Sequence, residues 1–504
     1  MNLEEILLRS FGFNEFRPGQ REIIHSLIMG HNTVGVLPTG TGKSLCYQFV
    51  GKQCIGHVII ISPLLSLMQD QVEQMKAKGE KSVIAINSFL SSTGKRTIID
   101  TLKNYKYIFI SPEMLQAEFI QAKLKKLKIA LFVIDEAHCI SQWGYDFRTD
   151  YQKLGEIRKI FGSPLTLALT ATATNEVMSD IFKVLEIEDA SIFKTSVDRS
   201  NISIKIECLD DQQMKKHAIL SYLRNLPGPG VIYFSSKKLA EQMVEFLKIN
   251  GVTKVMAYHS GMTHEDRILI QQQFIYGQID YICATSAFGM GINKENIRFV
   301  IHYHMPLQLE SYLQEIGRAG RDGKASIAIL LYAAGDENLA LQLIDHELPM
   351  DVQLNWLYDQ LSSPEGNELE EMKFTEEIRL NGGFSEIQWR ITKEFILTRS
   401  NNRLSLSQIV DSLKTFVYFR KKIKTDKIFD CLKLIRSVNC RRNHILEYFG
   451  EPPLSNRVSN CCDQCGIQIE DFYTEKQNGI KTNERKDDWQ WRLTKLLTAT
   501  ENEF

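Results

Sequence analysis

The chain has 504 residues, of which 43% are hydrophobic and 24% charged, and its net charge is −1 at pH 7. These values predict about three ordinary globular domains and exclude a generally basic protein, so any nucleic-acid surface must be a local basic groove. No apolar run approaches the ~20 residues of a membrane helix, and the acidic start at residues 1–5 lacks the features of a signal peptide. We therefore expect a cytoplasmic protein without a membrane partner.

The first candidate ligand residue, Gln20, precedes a helix that the sequence predicts at residues 21–29. A glutamine amide carries a donor and an acceptor side by side, which can pair with the matching groups of an adenine ring. Gln20 is therefore a candidate adenine reader. The alternative is that it belongs to the cap region of the helix.

A glycine-rich loop, Leu-Pro-Thr-Gly-Thr-Gly-Lys-Ser at residues 37–44, lies between a predicted buried strand at 33–36 and a predicted helix at 45–50. Such a loop points its backbone N–H groups at one centre, and the helix dipole adds positive potential, so a polyphosphate is the expected ligand. We expect Lys43 to reach the β- and γ-phosphates and Ser44 to hold Mg²⁺. The cradling loop residues are Thr39, Gly40, Thr41 and Gly42. Leu37 stands where the general pattern has a glycine, and a structural turn is the alternative.

Predicted strands at residues 58–61 and 107–110 each end in a polar turn that leads into a helix. Ligands gather at such strand ends in open α/β sheets. Ser62 and the helix after it could bind a phosphate of a nucleic-acid strand, and the turn at Ser111 repeats this geometry. The two turns suggest a track for a phosphate backbone, although each taken singly could be structural.

Two adjacent carboxylates follow an apolar strand that the sequence predicts at residues 131–134. Because burying charge is costly, an apolar strand that ends in two acids needs a functional reason. We expect Asp135 to hold Mg²⁺ and Glu136 to position and deprotonate the attacking water. His138 would link this pair to a neighbouring element, for which the hydroxyls at the end of the predicted strand at 165–174 are candidates.

The loop after the acidic pair, residues 139–151, holds four aromatic residues and an arginine. Aromatic faces stack on unpaired bases with about 1–3 kcal/mol each, and arginine binds phosphate. Trp143, Phe147 and Arg148 are therefore candidate contacts to single-stranded nucleic acid. The alternative is that Trp143 and Phe147 pack under the loop.

From about residue 203 the alternation of strands and helices begins again, which predicts a second parallel sheet, this time without a phosphate loop. Arg318 and Arg321 follow, three residues apart on one face of a predicted helix, and suit a polyphosphate approached across a cleft. We expect Arg321 to be an arginine finger and Arg318 its γ-phosphate or coupling partner. A solvated basic turn is the alternative.

These motifs together resemble those of superfamily 2 helicases, and specifically of the RecQ family of DNA helicases. The resemblance rests on residues 16–20, 38–44, 135–148, 284–293 and 314–323. It implies two RecA-like lobes and an ATP-driven enzyme of recombination and repair that unwinds DNA in the 3′-to-5′ direction. It also implies a nucleotide contact at Arg17, a catalytic contribution from Gln314, and an aromatic loop that couples DNA binding to ATP hydrolysis. The implied partners are single-stranded DNA, tailed or branched duplex DNA and a single-strand-binding protein.

The chain departs from the usual family pattern at three positions. The family usually has histidine where this chain has Tyr145, proline at Thr149 and aspartate at Asn293. These departures leave the expected Mg²⁺ and phosphate ligands intact.

Four of the ten cysteines lie close together near the end of the chain: Cys440, Cys461, Cys462 and Cys465. In a cytosolic chain such a cluster suggests a metal before a disulfide, and four thiolates can close a tetrahedron around Zn²⁺. The adjacent pair resembles a variant within the RecQ family. The alternatives are that His444 replaces one cysteine or that the thiols bind no metal.

The segment before this cluster predicts two helices, at 368–380 and 385–397, with a possible wing at 399–403. We interpret it as a small winged-helix-like insertion, with a helical spacer as the alternative. The 39 residues after Cys465 contain a predicted helix at 487–497 and are too few for the accessory domains of longer family members. The strand-separating hairpin of the family is therefore not identifiable in this sequence.

The expected fold class is α/β, with two tandem parallel-sheet lobes at residues 1–203 and 204–340 that close on ATP and Mg²⁺ once per hydrolysis. A mainly helical region at 341–425, a zinc-binding module at 426–470 and a tail at 471–504 follow. One rival hypothesis is an RNA helicase or duplex translocase, against which the aromatic loop and the cysteine cluster argue. Another is a non-catalytic, ATP-switched DNA-binding scaffold, against which Glu136 and Arg321 argue.

Overall fold

The architecture consists of two parallel sheets flanked by helices and a helical region that follows them. The computed structural model describes residues 2–63, 65–86, 101–141, 148–289, 294–362, 374–400, 404–456 and 458–473. Several inner strands are buried along their whole length, because helices cover both faces of a parallel sheet: Thr33–Val36, Tyr107–Ile110, Gly230–Tyr233 and Phe299–His302.

The first lobe contains, within the described residues, a seven-stranded parallel sheet in the order β3-β4-β2-β5-β6-β1-β7. Alternate residues of β2 enter different hydrophobic clusters, Ile59 and Ile61 on one face and Val58 and Ile60 on the other. The strands are β1 (Thr33–Val36), β2 (His57–Ile61), β3 (Val83–Ile86), β4 (Tyr107–Ile110), β5 (Ile129–Ile134), β6 (Thr166–Thr170) and β7 (Ser191–Lys194). The helices are α1 (Leu3–Phe11), α2 (Gln20–Ile28), α3 (Ser44–Gln53), α4 (Leu65–Ala77), α5 (Pro112–Leu115), α6 (Glu118–Leu124), α7 (Leu154–Ile160) and α8 (Asn175–Leu185).

The second lobe has, as far as the structure describes it, a six-stranded parallel sheet in the order β10-β11-β9-β12-β13-β8. The strands are β8 (Ile202–Leu209), β9 (Gly230–Tyr233), β10 (Val255–Tyr258), β11 (Tyr281–Ala284), β12 (Phe299–His302) and β13 (Ser326–Ala333). The helices are α9 (Gln212–Asn225), α10 (Lys237–Ile249), α11 (His264–Ile275) and α12 (Leu309–Ile316). The prediction of two parallel-sheet lobes is confirmed, and β8 begins two residues before the boundary predicted at 203/204.

The C-terminal region packs on the second lobe and shares its core. Its helices are α13 (Asp336–Glu347), α14 (Asp351–Leu361), α15 (Glu376–Asn381), α16 (Glu386–Ser400), α17 (Leu406–Arg436) and α18 (Arg441–Tyr448). One hydrophobic cluster runs from Ile204 of β8 through Trp389 and Leu413 to Cys462. The region is therefore an extension of the second lobe rather than a unit with a core of its own.

No wing is present in the described part of residues 341–425, where every regular element is a helix. Residues 401–403 of the suspected wing and the predicted helix at 487–497 lie outside the described residues. The sequence interpretation missed α17, a helix of 31 residues that begins after a capping box formed by Ser405 and Gln408. The boundary predicted at 425/426 falls inside this helix. None of the helices in the described ranges is long and apolar enough to cross a membrane.

Arg318 and Arg321 do not share a helical face, so that prediction is wrong. Helix α12 ends at Ile316, and the two arginines lie in the turn that follows. Gly320 and Gly323 have φ angles of 54° and 79° in this turn. The helix has already ended before Gly317, whose φ is −62°, and the two left-handed glycines let the chain after it fold back toward β13.

A buried histidine next to the core of the second lobe has a depressed pKa. Ser235 N donates to His304 Nδ1 at 3.2 Å, so the ring accepts this bond in its neutral form. Burial, and then the positive charge of Lys215, lower the pKa of His304 to about 4, although Asp336 opposes the shift. Between about pH 4 and pH 6.5, His304 is therefore neutral in the folded chain and protonated in the unfolded chain.

This depressed pKa makes stability fall as the pH falls from 6.5 toward 4. Because the unfolded chain takes up the proton first, His304 accounts for about 2 kcal/mol of lost stability between pH 7 and pH 5. We expect His304→Asn to lose less stability over that interval than the wild type in urea unfolding. His31→Asn, at an exposed position, is the matched control. Equal pH slopes for wild type and His304→Asn would contradict the assignment.

Candidate active site

The phosphate loop between β1 and α3 is held between two side chains from outside it. Gly40 and Gly42 have φ angles of 89° and 77°, which a residue with a side chain rarely adopts. A Cβ on Gly40 would lie 3.1 Å from Cγ of Arg321, and one on Gly42 would lie 3.0 Å from Nε2 of Gln20. The arginine turn of the second lobe therefore packs directly on the loop of the first.

Arg17 and Gln20 contact the opposite side of the loop. Arg17 Nη1 donates to the carbonyl of Gly40 at 2.5 Å, and Gln20 Nε2 donates to the carbonyls of Thr41 and Gly42 at 2.7 and 3.0 Å. Gln20 Oε1 accepts from the backbone N–H of Arg17. The Gln20 amide, 2% exposed at the first position of α2, is thus used within the protein. Its reading of adenine stays a prediction that requires the amide to leave the loop.

The acidic pair lies at the carboxyl end of β5, beside the phosphate loop. Glu136 has a φ of 50°, a strained position for a residue with a side chain, and its Oε1 lies 3.9 Å from Lys43 Nζ. His138 Nδ1 lies 2.9 Å from Thr170 Oγ1, at the end of β6. The structure therefore joins three neighbouring strand ends, as the sequence predicted for His138 and the hydroxyls.

The charges of the acidic pair suit a divalent cation. Burial, and then the neighbouring Glu136 carboxylate, raise the pKa of Asp135 to about 7, although Lys43 opposes the shift. Glu136 Oε2 is buried and has no hydrogen-bond partner among the described residues. Glu136 Oε2 lies 3.4 Å from His138 Nδ1, and crowded carboxylates whose acceptors are not saturated by hydrogen bonds fit Mg²⁺ and a water molecule. Ser44 lines the same cleft.

Three guanidinium groups gather on the other side of the phosphate loop. Arg318 is 3% exposed and donates from Nη1 to the carbonyl of Gly289. Burial, and then the charges of Arg318 and Arg199, lower the pKa of Arg321 to about 9. Buried cations that repel each other in this way favour an anionic ligand.

A single cleft of about 1630 Å³, open mouth included, joins the acidic pair to the arginines. All the predicted nucleotide-site residues except Thr41 line it: Arg17, Gln20, Thr39, Gly40, Gly42, Lys43, Ser44, Asp135, Glu136, Gln314, Arg318 and Arg321. The Thr41 hydroxyl instead donates to the carbonyl of Pro38 at 2.7 Å. Arg199, which donates to carbonyls of both lobes, was not predicted from the sequence. Its position between the two predicted sheets could have indicated that it lies where the lobes meet.

The candidate DNA contacts are only partly described. Ser62 is 1% exposed at the end of β2, and its hydroxyl has no hydrogen-bond partner in the described part of the chain. Arg148 Nη1 donates to the carbonyl of Pro63 at 2.9 Å and lies 3.7 Å from Glu113. Both predicted track positions thus lie on one sheet edge, although Ser111 caps α5. Trp143, Tyr145, Phe147 and Asn293 lie outside the described residues, as does the side chain of Thr149.

The four clustered cysteines lie close enough together to bind one metal ion. The sulfur atoms of Cys440, Cys461, Cys462 and Cys465 all lie within 4.8 Å of one another. Cys440 Sγ is 3.6 Å from Cys461 Sγ and 3.9 Å from Cys462 Sγ, which matches the spacing of about 3.8 Å expected for thiolates around Zn²⁺. Within the described residues the cluster contains only cysteines, so the proposal that His444 replaces one of them is wrong.

Comparison with protein families matches three parts of the chain. Residues 17–181 match a DEAD/DEAH box helicase family, residues 214–323 a helicase conserved C-terminal domain, and residues 406–466 a RecQ zinc-binding family. The probable ATP-dependent DNA helicase RecS of Bacillus subtilis is 40% identical over 98% of each chain. The ATP-dependent DNA helicase RecQ of the same organism is 40% identical over 68% of this chain and 59% of its own length.

Solved structures share the fold at low sequence identity. The helicase MrfA bound to DNA has a TM-score of 0.56 at 19% identity and covers 68% of this chain and 49% of its own. Dbp5 of S. cerevisiae, bound to RNA and ADP BeF3, has a TM-score of 0.54 at 18% identity and covers 67% of this chain and 90% of its own. These similarities concern the paired-lobe fold alone.

We expect the purified protein to contain one zinc ion per chain and Cys462→Ser to lose it. The thermal midpoint of that variant should fall by about 5–10 °C, because zinc binding supplies folding free energy. Cys208→Ser, at an exposed cysteine of β8, is the control and should keep both zinc and midpoint. Atomic emission and a thermal melt measure the two quantities. Wild-type protein free of zinc would contradict the assignment.

Proposed function

The chain belongs to the RecQ family of ATP-dependent DNA helicases, and on this premise we propose how its residues convert ATP hydrolysis into movement on DNA. The observation that carries the proposal is the shared cleft, into which Lys43 and Glu136 extend from the first lobe and Arg318 and Arg321 from the second. A polyphosphate in this cleft touches both lobes, so its hydrolysis changes how the lobes attract each other.

Each residue of the cleft has a separate role in this proposal. Lys43 binds the β- and γ-phosphates, and Glu136, whose Oε2 is buried without a hydrogen bond in the described residues, positions and deprotonates the attacking water. Arg321 stabilises the charge on the transferred phosphoryl group, and Gln314 orients the site from α12. Ser44 and Asp135 would hold Mg²⁺, which when bound neutralises charge on the phosphates.

Arg318 is the coupling residue of the second lobe. Its bond to the carbonyl of Gly289 ties the arginine turn to the segment after β11. Loss of the γ-phosphate removes the anion that the buried arginines share, so the lobes separate and close again on the next ATP. Repeated closure moves the chain along single-stranded DNA from 3′ to 5′, in recombination and repair as in its family.

The DNA contacts of the first lobe lie on the sheet edge that carries Ser62 and Arg148. We assign the stacking of unpaired bases to Trp143 and Phe147. The proposed substrates are tailed and branched duplexes, the proposed partner is a single-strand-binding protein, and the proposed location is the cytoplasm. If the protein were an RNA helicase, RNA would stimulate its ATPase activity more strongly than single-stranded DNA does. If it were a non-catalytic scaffold, it would not hydrolyse ATP even with saturating single-stranded DNA.

We expect Lys43→Ala to lower DNA-stimulated ATP hydrolysis by at least about 10²-fold, because it removes charge from the phosphate site. Binding of single-stranded DNA should remain within about twofold, because the DNA contacts lie elsewhere on the lobe. Lys52→Ala, at an exposed position of α3, is the matched control. Hydrolysis by Lys43→Ala at the wild-type rate would refute the assignment.

The direction of movement is tested by two duplexes that differ only in the polarity of their single-stranded tail. We expect ATP-dependent unwinding of the 3′-tailed duplex to exceed that of the 5′-tailed duplex by about tenfold or more, because the lobes grip the tailed strand in one polarity. A gel assay with equal tail lengths measures the ratio. A preference for the 5′ tail would overturn the proposed direction.

A further inference from the structure

The segment that joins the two lobes is hydrogen-bonded to helix α18 and to the residues that follow it. This linker, residues 195–201, runs from the end of β7 to the start of β8. Lys194 Nζ donates to the carbonyl of Phe449 at 2.8 Å. Ser196 Oγ and the backbone N–H of Val197 both donate to the carboxylate of Glu451, at 2.6 and 3.0 Å. These bonds hold the start of the linker against the residues that follow α18.

Arg442 makes the most buried of these contacts. It lies two residues after Cys440, is 2% exposed and pairs with Asp198. It also donates to the carbonyls of Arg199 and Ile202, at 3.0 and 2.6 Å. One side chain at the start of α18 thus fixes the backbone conformation of the linker on both sides of Arg199.

The turn that carries Cys461, Cys462 and Cys465, which we call the cysteine knuckle, is continuous with the sheet of the second lobe. Ile204 of β8 pairs with Cys462, through a bond from Ile204 N to the carbonyl of Cys461 at 3.3 Å and one from Asp463 N to the carbonyl of Ile204 at 3.0 Å. Within the zinc-binding region predicted at 426–470, we call residues 440–465, which carry all four clustered cysteines, the zinc module. Its metal ligands are joined to the strand that begins where the linker ends.

The Arg199 side chain points from this linker into the junction of the two lobes. Its guanidinium donates to the carbonyl of Thr39 in the phosphate loop at 3.3 Å. It also donates to the carbonyls of Gly317 at 3.3 Å, Ala319 at 3.3 Å and Gly320 at 2.7 Å, in the turn that carries the two cleft arginines. Only a planar group with several donors can span four carbonyls in this way, so lysine cannot replace it.

We propose that Arg199 is a positioning residue that sets Arg321 against the phosphate loop, and that the zinc module fixes Arg199 through Arg442. The inference rests on the proposed function, because it concerns the rate of the hydrolysis step. Nucleotide binding depends mainly on the phosphate loop, whereas transition-state stabilisation depends on the placement of Arg321. We call the contacts that run from the zinc module through the linker and Arg199 to Arg321 the relay. Disturbing the relay therefore lowers kcat and leaves the affinity for nucleotide largely unchanged.

The neighbouring Arg441 provides a matched control. It is also buried, at 4% exposure, and lies in the same helix. Its guanidinium bonds to Asp463 and to the carbonyls of Leu434, Ile435 and Ser437, all on the C-terminal side of the molecule. A general loosening of the zinc module should follow from either arginine, whereas in the described part of the chain only Arg442 of the two bonds to the linker.

The test compares Arg199→Gln, Arg199→Lys, Arg442→Gln and Arg441→Gln in the full-length chain. The measurements are zinc content, affinity for a fluorescent ADP analogue, and kcat and KM for ATP at saturating single-stranded DNA. We expect kcat to fall at least about tenfold in the first three variants, with analogue affinity and KM within about threefold of wild type. Arg441→Gln should lower the thermal midpoint and keep kcat.

Two results would overturn the relay: wild-type kcat in both zinc-loaded Arg199 variants, or an equal loss of kcat in Arg441→Gln and Arg442→Gln. If Arg442→Gln does not retain zinc, Glu451→Ala decides the role of the module, because it removes the contacts to Ser196 and Val197 and leaves helix α18, which follows Cys440, intact. A fall in kcat at constant KM supports the relay, and an unchanged kcat contradicts it. Wild-type protein without DNA-stimulated hydrolysis would instead refute the proposed function itself.

Discussion

Groups of like charge are held close together on each side of the cleft, two carboxylates on one wall and two guanidinium groups on the other, and the rest of the site depends on this repulsion. Asp135 and Glu136 repel each other on one wall, which raises the pKa of Asp135. Arg318 and Arg321 lie on the opposite wall, and burial together with the charges of Arg318 and of Arg199 behind it lowers the pKa of Arg321. A bound nucleotide with a divalent cation would supply positive charge to the first wall and negative charge to the second. The free energy gained by relieving both repulsions is available to draw the lobes together.

The sequence was sufficient for the parts of this arrangement that depend on short-range pattern. Apolar runs of four to six residues followed by helix starts predicted β1, β2, β4 and β5 nearly to the residue. Parallel strands bring their carboxyl ends to one edge, so the meeting of the phosphate loop, the acidic pair and Thr170 followed from topology. The four cysteines were equally readable, because metal ligation restricts residue type and spacing.

Contacts between distant segments could not be read in the same way. Gln20 has the chemistry of an adenine reader, but in the structure its amide satisfies loop carbonyls that only the folded chain brings near. The arginine turn was mistaken for a helix because its glycines, spaced three apart, were not weighed against helix continuation. Helix α17 carried a readable capping box and was still overlooked. Arg199 bonds to four backbone carbonyls of distant segments and to the side chain of its neighbour Asn201, and the sequence does not show which carbonyls folding brings near it.

The pairing of Cys462 with Ile204 has a consequence for solubility. Strand β8 lies at the border of its sheet, where unpaired N–H and C=O groups can recruit a strand from another molecule. The cysteine knuckle occupies part of that border and blocks such recruitment. Chains that have lost their metal would expose this border while the sheet behind it stays folded, and self-association through β8 is then the natural route to precipitation.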